Sequence, residues 1–192
     1  MPDIDRLIQR WQAGDDRAAE AIYNQYRDLT FGLAFALLGN SADAEEVTQD
    51  ALAYALTNIG RYDAQRARFS TWLHTITVSR CRNKRRRLHL PTLSLFTWLN
   101  KGGDISDPAP NPEHQAIGGA IRDEVWQAIQ SLKPHLREAV VLRYWADFTY
   151  QEIADILGCS ARVARSRLQS AHKQLGPILA QNELVKLEET TR

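Results

Sequence analysis

The sequence predicts an all-α protein: two small helical domains joined by a flexible linker. Three observations carry this expectation. Apolar residues recur at helical spacing in both halves of the chain, no stretch alternates as a half-buried strand would, and a segment rich in proline and glycine divides the halves. A chain of 192 residues suits one ordinary domain or two small ones, and 44% hydrophobic with 24% charged residues supports packed cores over general disorder.

The first domain is expected over residues 1–87. Leu7, Ile8 and Trp11 mark a short helix ending near Gly14. Ile22, Tyr26, Leu29, Leu33 and Leu37 fall at spacings of three and four, one face of a longer helix. Gly39-Asn40-Ser41 breaks that period and offers an N-cap to the next helix, which carries Val47, Ala51, Tyr54 and Ala55 and stops near Gly60. A further helix starts at about Ser70, turns Trp72, Leu73, Ile76 and Val78 inward, and runs into a basic cluster.

Residues 88–118 read as the linker. Four of the seven prolines (Pro91, Pro108, Pro110, Pro112) lie there with Gly102-Gly103, and proline removes backbone donors while glycine raises the entropic cost of ordering. Its first half is apolar, with Leu90, Leu93, Leu95, Phe96, Trp98 and Leu99, a stretch that costs solubility if exposed, and is expected to dock on something.

The second domain is expected over 119–182, with a tail at 183–192. Val125, Ile129 and Leu132 define one helix, and Leu136, Val140, Val141 and Tyr144 another beyond Pro134. Thr149-Tyr150-Gln151-Glu152 has the form of a capping box opening a short helix with Ile153, Ala154, Ile156 and Leu157. Gly158-Cys159-Ser160 turns the chain, and Ser160 caps a longer helix running to about Leu175 with Val163 and Leu168 inward.

Composition narrows the function. The chain has no run of about 18 apolar residues and no basic-then-apolar opening, so membrane insertion and secretion are disfavoured and the cytoplasm is expected. Two cysteines, Cys81 and Cys159, lack metal-ligand spacing; in its basic setting Cys81 could be acidified, although a packed thiol is the simpler reading. The five histidines are scattered, and no phosphate loop, His-Glu-x-x-His or nucleophile elbow occurs. No metal, cofactor or catalytic residue is expected.

Charge points instead to polyanions. The net charge is only +1, yet Arg61 to Arg87 holds nine Lys/Arg against the single acid Asp63. The aromatics Tyr62, Phe69 and Trp72 precede the densest cations, a combination suited to single-stranded nucleic acid; Tyr62 is expected to be exposed and Trp72 to sit in the core. A capped short helix, a glycine turn and a longer helix with four cations and no acid from Gly158 to Leu175 form the pattern of a helix-turn-helix. Arginine suits phosphates and guanine, and glutamine can pair with adenine. Asp43, Glu46, Gln49 and Asp50 make a polar helix face that a basic protein surface could bind, as well as an ordinary solvated one.

The chain from Leu7 to Leu175 resembles the extracytoplasmic-function (ECF) sigma factors, which hold only the second and fourth conserved sigma regions. The likeness rests on Ala44-Glu45-Glu46-Val47 with Gln49-Asp50-Ala51, Phe69-Ser70-Thr71-Trp72-Leu73, Leu136-Arg137-Glu138, Glu152-Ile153-Ala154 and Arg165-Ser166-Arg167-Leu168, in that order.

The resemblance implies core RNA polymerase as partner, through its β′ clamp helices and β flap, with Asp43, Glu46, Gln49 and Asp50 on the clamp. It implies promoter DNA, duplex and single-stranded: the −10 element at Tyr62, Arg66, Arg68, Phe69, Ser79, Arg82, Asn83 and Arg86, and the −35 element at Ser160, Arg162, Arg165, Ser166, Arg167 and Gln169. It also implies an anti-sigma factor. Two departures are visible: Arg162-Val163-Ala164 stands where the family usually has Gly-Thr-Val, and Ser79 replaces a common asparagine. A stand-alone helix-turn-helix regulator with an N-terminal sensing or dimerising domain is the alternative, but it leaves the arginine segment and acidic helix without a role. A helical scaffold protein is a more distant one.

Overall fold

The computed structural model describes residues 4–89 and 120–190. Among these, eight α-helices and one 3-10 turn form, with no strand: α1 (Ile4–Gln12), α2 (Asp16–Leu38), α3 (Ser41–Thr57), the turn Ile59–Arg61, α4 (Phe69–His89), α5 (Ala120–Ser131), α6 (Pro134–Tyr144), α7 (Tyr150–Leu157) and α8 (Ala161–Thr190). The predicted apolar linker segment Leu90–Leu99 lies outside the described residues, whereas Leu88 and His89, expected to open the linker, still belong to α4.

Local chemistry sets the ends. Asp15 caps α2, accepting from the Arg17 amide at 3.1 Å, and Asn40 caps α3, accepting from the Asp43 amide at 2.9 Å. Gly39 closes α2 in the left-handed conformation at φ 75°. In the interior, Thr30, Thr48 and Thr77 are buried and each donates to the carbonyl four residues back, so no hydroxyl is stranded. The helix expected to end near Leu175 continues past Pro177 to Thr190.

Two apolar cores result. One lies within the first domain and joins Leu7, Ile8, Ile22, Leu52, Phe69 and Leu73. The other spans both domains: Leu33, Leu37 and Val78 of the first meet Leu136, Val140, Ile153 and Leu157 of the second. Glycines allow the approach. A Cβ at Gly32 would come within 3.1 Å of the Trp145 ring, and one at Gly39 within 2.6 Å of the Gln130 side chain. Phe35 stacks on Trp126 at 4.8 Å, and His74 meets Phe148 edge-on at 5.1 Å.

Three apolar expectations are corrected. Leu29 shares the apolar period of α2 but belongs to neither core and is exposed. Tyr144, at the end of α6, is 64% exposed, its hydroxyl 2.7 Å from His172 Nε2. Val163 faces outward because Ala164, Leu168, Ala171 and Leu175 form the inward stripe of α8.

Candidate nucleic-acid and polymerase interfaces

The helix-turn-helix is built as its sequence requires. The Thr149 hydroxyl accepts from the Glu152 amide at 3.3 Å while Glu152 accepts from the Thr149 amide at 2.8 Å. These bonds to Thr149 hold the Glu152 carboxyl below its usual range. Ala154 is fully buried where α7 crosses α8, Gly158 adopts φ 64°, and Ser160 Oγ accepts from the Val163 amide at 3.3 Å.

The predicted −35 residues then divide. Ser160, Arg162, Arg165, Ser166 and Gln169 are exposed. Arg167 is half-buried, with Nη1 enclosed and unbonded among the described residues. The Arg165 guanidinium lies 5.0 Å from the Tyr150 ring centre, and Arg143 lies 5.7 Å from the same ring, a pairing the sequence did not announce.

The predicted −10 residues divide more sharply. Arg66, Arg68, Ser79 and Arg86 are exposed, and Arg86 donates to Asn83 Oδ1 at 3.2 Å. Phe69 is a correction: only 2% exposed, it is clamped edge-on by Tyr26 and Tyr62 and packs the first core, so it cannot offer a face to a base. Tyr62 is half-buried rather than free, with its ring 5.6 Å from that of Trp72, which is itself half-buried rather than core. Arg82 is spoken for. Its Nε and Nη2 donate to Glu138 at 3.2 and 2.8 Å, and Arg85 donates to the same carboxylate.

Arg66, Arg68, Thr71, Trp72 and Thr75 line a cleft of about 260 Å³ whose opposite wall is Glu152, Asp155 and Ile156 of α7. On α3, Glu46, Gln49 and Asp50 are exposed and Asp43 is half-buried. Asp43 and Glu46 hold Lys84 at 3.0 and 2.5 Å, which fastens the acidic face to the basic end of α4.

Glu138, the buried partner of Arg82 and Arg85, was not singled out from the sequence, although a signal exists. It is an acid on a helix whose next residues are Ala139-Val140-Val141-Leu142, and Leu142, four residues on, is fully buried. Cys81 is buried, and burial pushes its thiol up to about 12; it is no acidified thiol. Among the described residues no group of His, Cys, Asp and Glu could hold a metal, and no helix is long and apolar enough to cross a membrane.

Two helical modules, one ending in a helix-turn-helix and the other presenting a basic helix, make up the described chain. Comparison with known proteins gives this architecture its family. Residues 22–89 match the model for Sigma-70 region 2, and residues 122–175 that for Sigma-70, region 4. The chain is 30% identical to the ECF RNA polymerase sigma factor SigE of Mycolicibacterium smegmatis, over 90% of this chain and 67% of that protein. It is 27% identical to the ECF RNA polymerase sigma factor SigW of Bacillus subtilis, over 90% and 94%, and 29% identical to the ECF RNA polymerase sigma-E factor of Escherichia coli K12, over 88% and 90%.

Similar solved structures are the sigma factor RpoE in complex with the anti-sigma factor NepR from Bartonella quintana and CnrH in complex with the cytosolic domain of CnrY. The first has a TM-score of 0.67 at 22% identity, covering 84% of this chain and 96% of that one. The second has 0.63 at 20%, covering 93% and 99%. The chain belongs to the ECF sigma factor family. It is accordingly a transcription initiation factor and not an enzyme.

Proposed function

We propose that this sigma factor joins core RNA polymerase through the α3 face of Asp43, Glu46, Gln49 and Asp50 and recognises promoters at two points. The exposed cations Arg66, Arg68 and Arg86, with Ser79 and Asn83, take the −10 strands; Arg82 joins them once released from Glu138. Ser160, Arg162, Arg165, Ser166 and Gln169 meet the −35 element, with Arg167 fixing the helix from its half-buried position. Neither surface alone offers enough phosphate contacts for tight duplex binding, so specificity emerges when the polymerase makes the second contact intramolecular.

The observation that carries this reading is the outward aim of Arg162, Arg165 and Gln169 from a helix capped by Ser160 behind a left-handed Gly158. An anti-sigma protein that covers these faces fits the same reading, supported by the complex of RpoE with the anti-sigma factor NepR. The expected site of action is the cytoplasm.

Run-off transcription with core polymerase and a genomic promoter library tests the proposal. Selective starts from a small promoter set are expected. Indiscriminate or absent initiation would count against it.

A further inference from the structure

The cations that crowd α4 from Arg80 to Arg87 do not share one environment. Arg82 and Arg85 pair with Glu138 of the second domain. Among the described residues, Lys84 is the only cation of α4 paired with acids of its own domain. Its ammonium lies 3.0 Å from Asp43 Oδ1 and 2.5 Å from Glu46 Oε2, both on α3. The Lys84 side chain is 16% exposed, against 53% for Glu46.

Each carboxylate therefore gives one oxygen to Lys84. The second oxygens, Asp43 Oδ2 and Glu46 Oε1, have no partner among the described residues. Asp43 and Glu46 stand three residues apart on one helix face, where like charges repel. Lys84 cancels that repulsion and anchors both acids. Arg27 of α2 likewise holds Glu45 at 3.3 Å, so Asp50 is the one acid of α3 with no cation among the described residues.

This environment sets Lys84 apart from a nucleic-acid contact. A phosphate approaching it meets two carboxylates as well, so the local charge is negative and a strand bound there would release no counterion. A basic side chain approaching the same place meets two anchored carboxylate oxygens, the acceptors that an arginine fork takes.

We infer that Lys84 is a positioning residue of the polymerase surface: from α4 it fixes Asp43 and Glu46 of α3 for a basic side chain of core polymerase, and it takes no part in holding DNA. The inference rests on the reading of this α3 face as the polymerase contact. Removing Lys84 has two opposed effects. The face gains a negative charge, which speeds encounter with a basic surface. Its two acids lose their anchor and must be ordered at binding, which shortens the life of the complex. Salt screens the exposed charge but not the ordering, so the second effect prevails at about 0.15 M salt.

The test uses the full-length chain as wild type, Lys84→Met, Lys84→Arg and Asp50→Arg, and a chain with Asp43→Asn and Glu46→Gln, with and without Lys84→Met. Circular dichroism checks helicity, and immobilised core polymerase gives association and dissociation rates. Holoenzyme at saturating core is titrated with a pre-melted −10 strand over a range of salt. Lys84→Met should weaken core binding about tenfold, through faster dissociation, with association unchanged or faster. Lys84→Arg, which keeps the charge and the reach, should restore the wild-type rates. In the chain with both acids neutralised, adding Lys84→Met should change nothing, a result that general loosening of the fold does not give. The salt slope for the −10 strand should stay that of the wild type. Should Lys84→Met lose helicity, Lys84→Gln takes its place.

Unchanged dissociation overturns the positioning role, and so does an equal loss in the neutralised chain. A salt slope reduced by about 0.7 makes Lys84 a phosphate contact and overturns the inference too. If Asp50→Arg binds core as the wild type does, or the wild type binds core in no condition, the parent reading fails and takes the inference with it.

Discussion

Arg82 on α4 grips Glu138 on α6 through two parallel hydrogen bonds, 3.2 Å from Nε and 2.8 Å from Nη2, across 56 residues of sequence. Glu138 is buried while the Arg82 side chain is 39% exposed, so the two partners do not contribute alike. Removing the arginine leaves the acid still paired with Arg85. Removing the acid strands two guanidiniums, one of them mostly buried.

Arg82→Ala is therefore expected to lower stability by about 1 kcal/mol and Glu138→Ala by on the order of 3 kcal/mol. The double variant should fall short of their sum, with a coupling of roughly 1 kcal/mol. Urea unfolding of the four chains at low and high salt checks this. Because the carboxylate is shielded from solvent, the coupling should survive salt that abolishes a surface pair. Strict additivity would mean that the contact contributes nothing.

Gly158 tests the turn. Its φ of 64° disfavours any side chain, yet a Cβ there would meet nothing within 4 Å. The cost of Gly158→Ala is therefore conformational alone, about 1 kcal/mol, and Gly158→Asn should cost less because asparagine tolerates the left-handed region. Thermal melts of the three chains should rank glycine, asparagine, alanine from most to least stable. Gly39→Ala should cost more than Gly158→Ala, since its Cβ would run into Gln130 at 2.6 Å as well.

How far these features could be read beforehand depended on how local they are. The capping box at Thr149, the turn at Gly158 and the Ser160 cap are contained within a few residues, and each was legible. The period of α2 was legible too, but not that Leu29 would be left outside both cores. Val163 was misplaced because Ala164 and Ala171, small residues, mark the buried stripe of α8. Phe69 sat among cations and looked like a base platform; Tyr26, 43 residues earlier by number, is what encloses it. Gly32 and Gly39 could be seen only as a helix residue and a helix breaker, since their packing against Trp145 and Gln130 depends on the second domain. The same holds for Glu138, whose partners are chosen by docking and not by spacing.

His74 lies at the contact between the domains and is expected to make stability depend on pH. Its ring packs edge-on to Phe148, Nδ1–H donates to the Ser70 carbonyl, and Nε2 is buried with no partner among the described residues. Burial holds its pKa below the ordinary 6.5. As pH falls, the unfolded chain therefore takes up this proton first. The contribution of the neutral ring is whole above about pH 6.5 and is lost as pH drops through that value toward the lower folded pKa. Between pH 7.5 and 5.5, roughly above the carboxylate range, the urea midpoint of the wild type should fall more than that of His74→Phe, which keeps a ring against Phe148. Equal slopes would remove His74 from the account.

The recognition helix offers the sharpest separation of roles. Arg165 is exposed, and the Tyr150 ring 5.0 Å away restricts where its guanidinium can point; Arg167 is half-buried, with one nitrogen enclosed. If Arg165 reads a guanine, Arg165→Ala should cost 1–3 kcal/mol of promoter binding by the holoenzyme, on the order of tenfold or more, and relax preference at a single base pair. Arg165→Lys should restore the charge but not that preference, because an ammonium cannot make the planar bidentate contact. Arg167→Ala should act differently, lowering the melting temperature of the free chain and weakening all promoter sequences by a similar factor. Footprinting and binding on a promoter set varied at each −35 position distinguish these outcomes. An even loss across all bases for Arg165→Ala would make it a phosphate contact, and the reader of the −35 sequence would then have to be sought at Arg162 or Gln169.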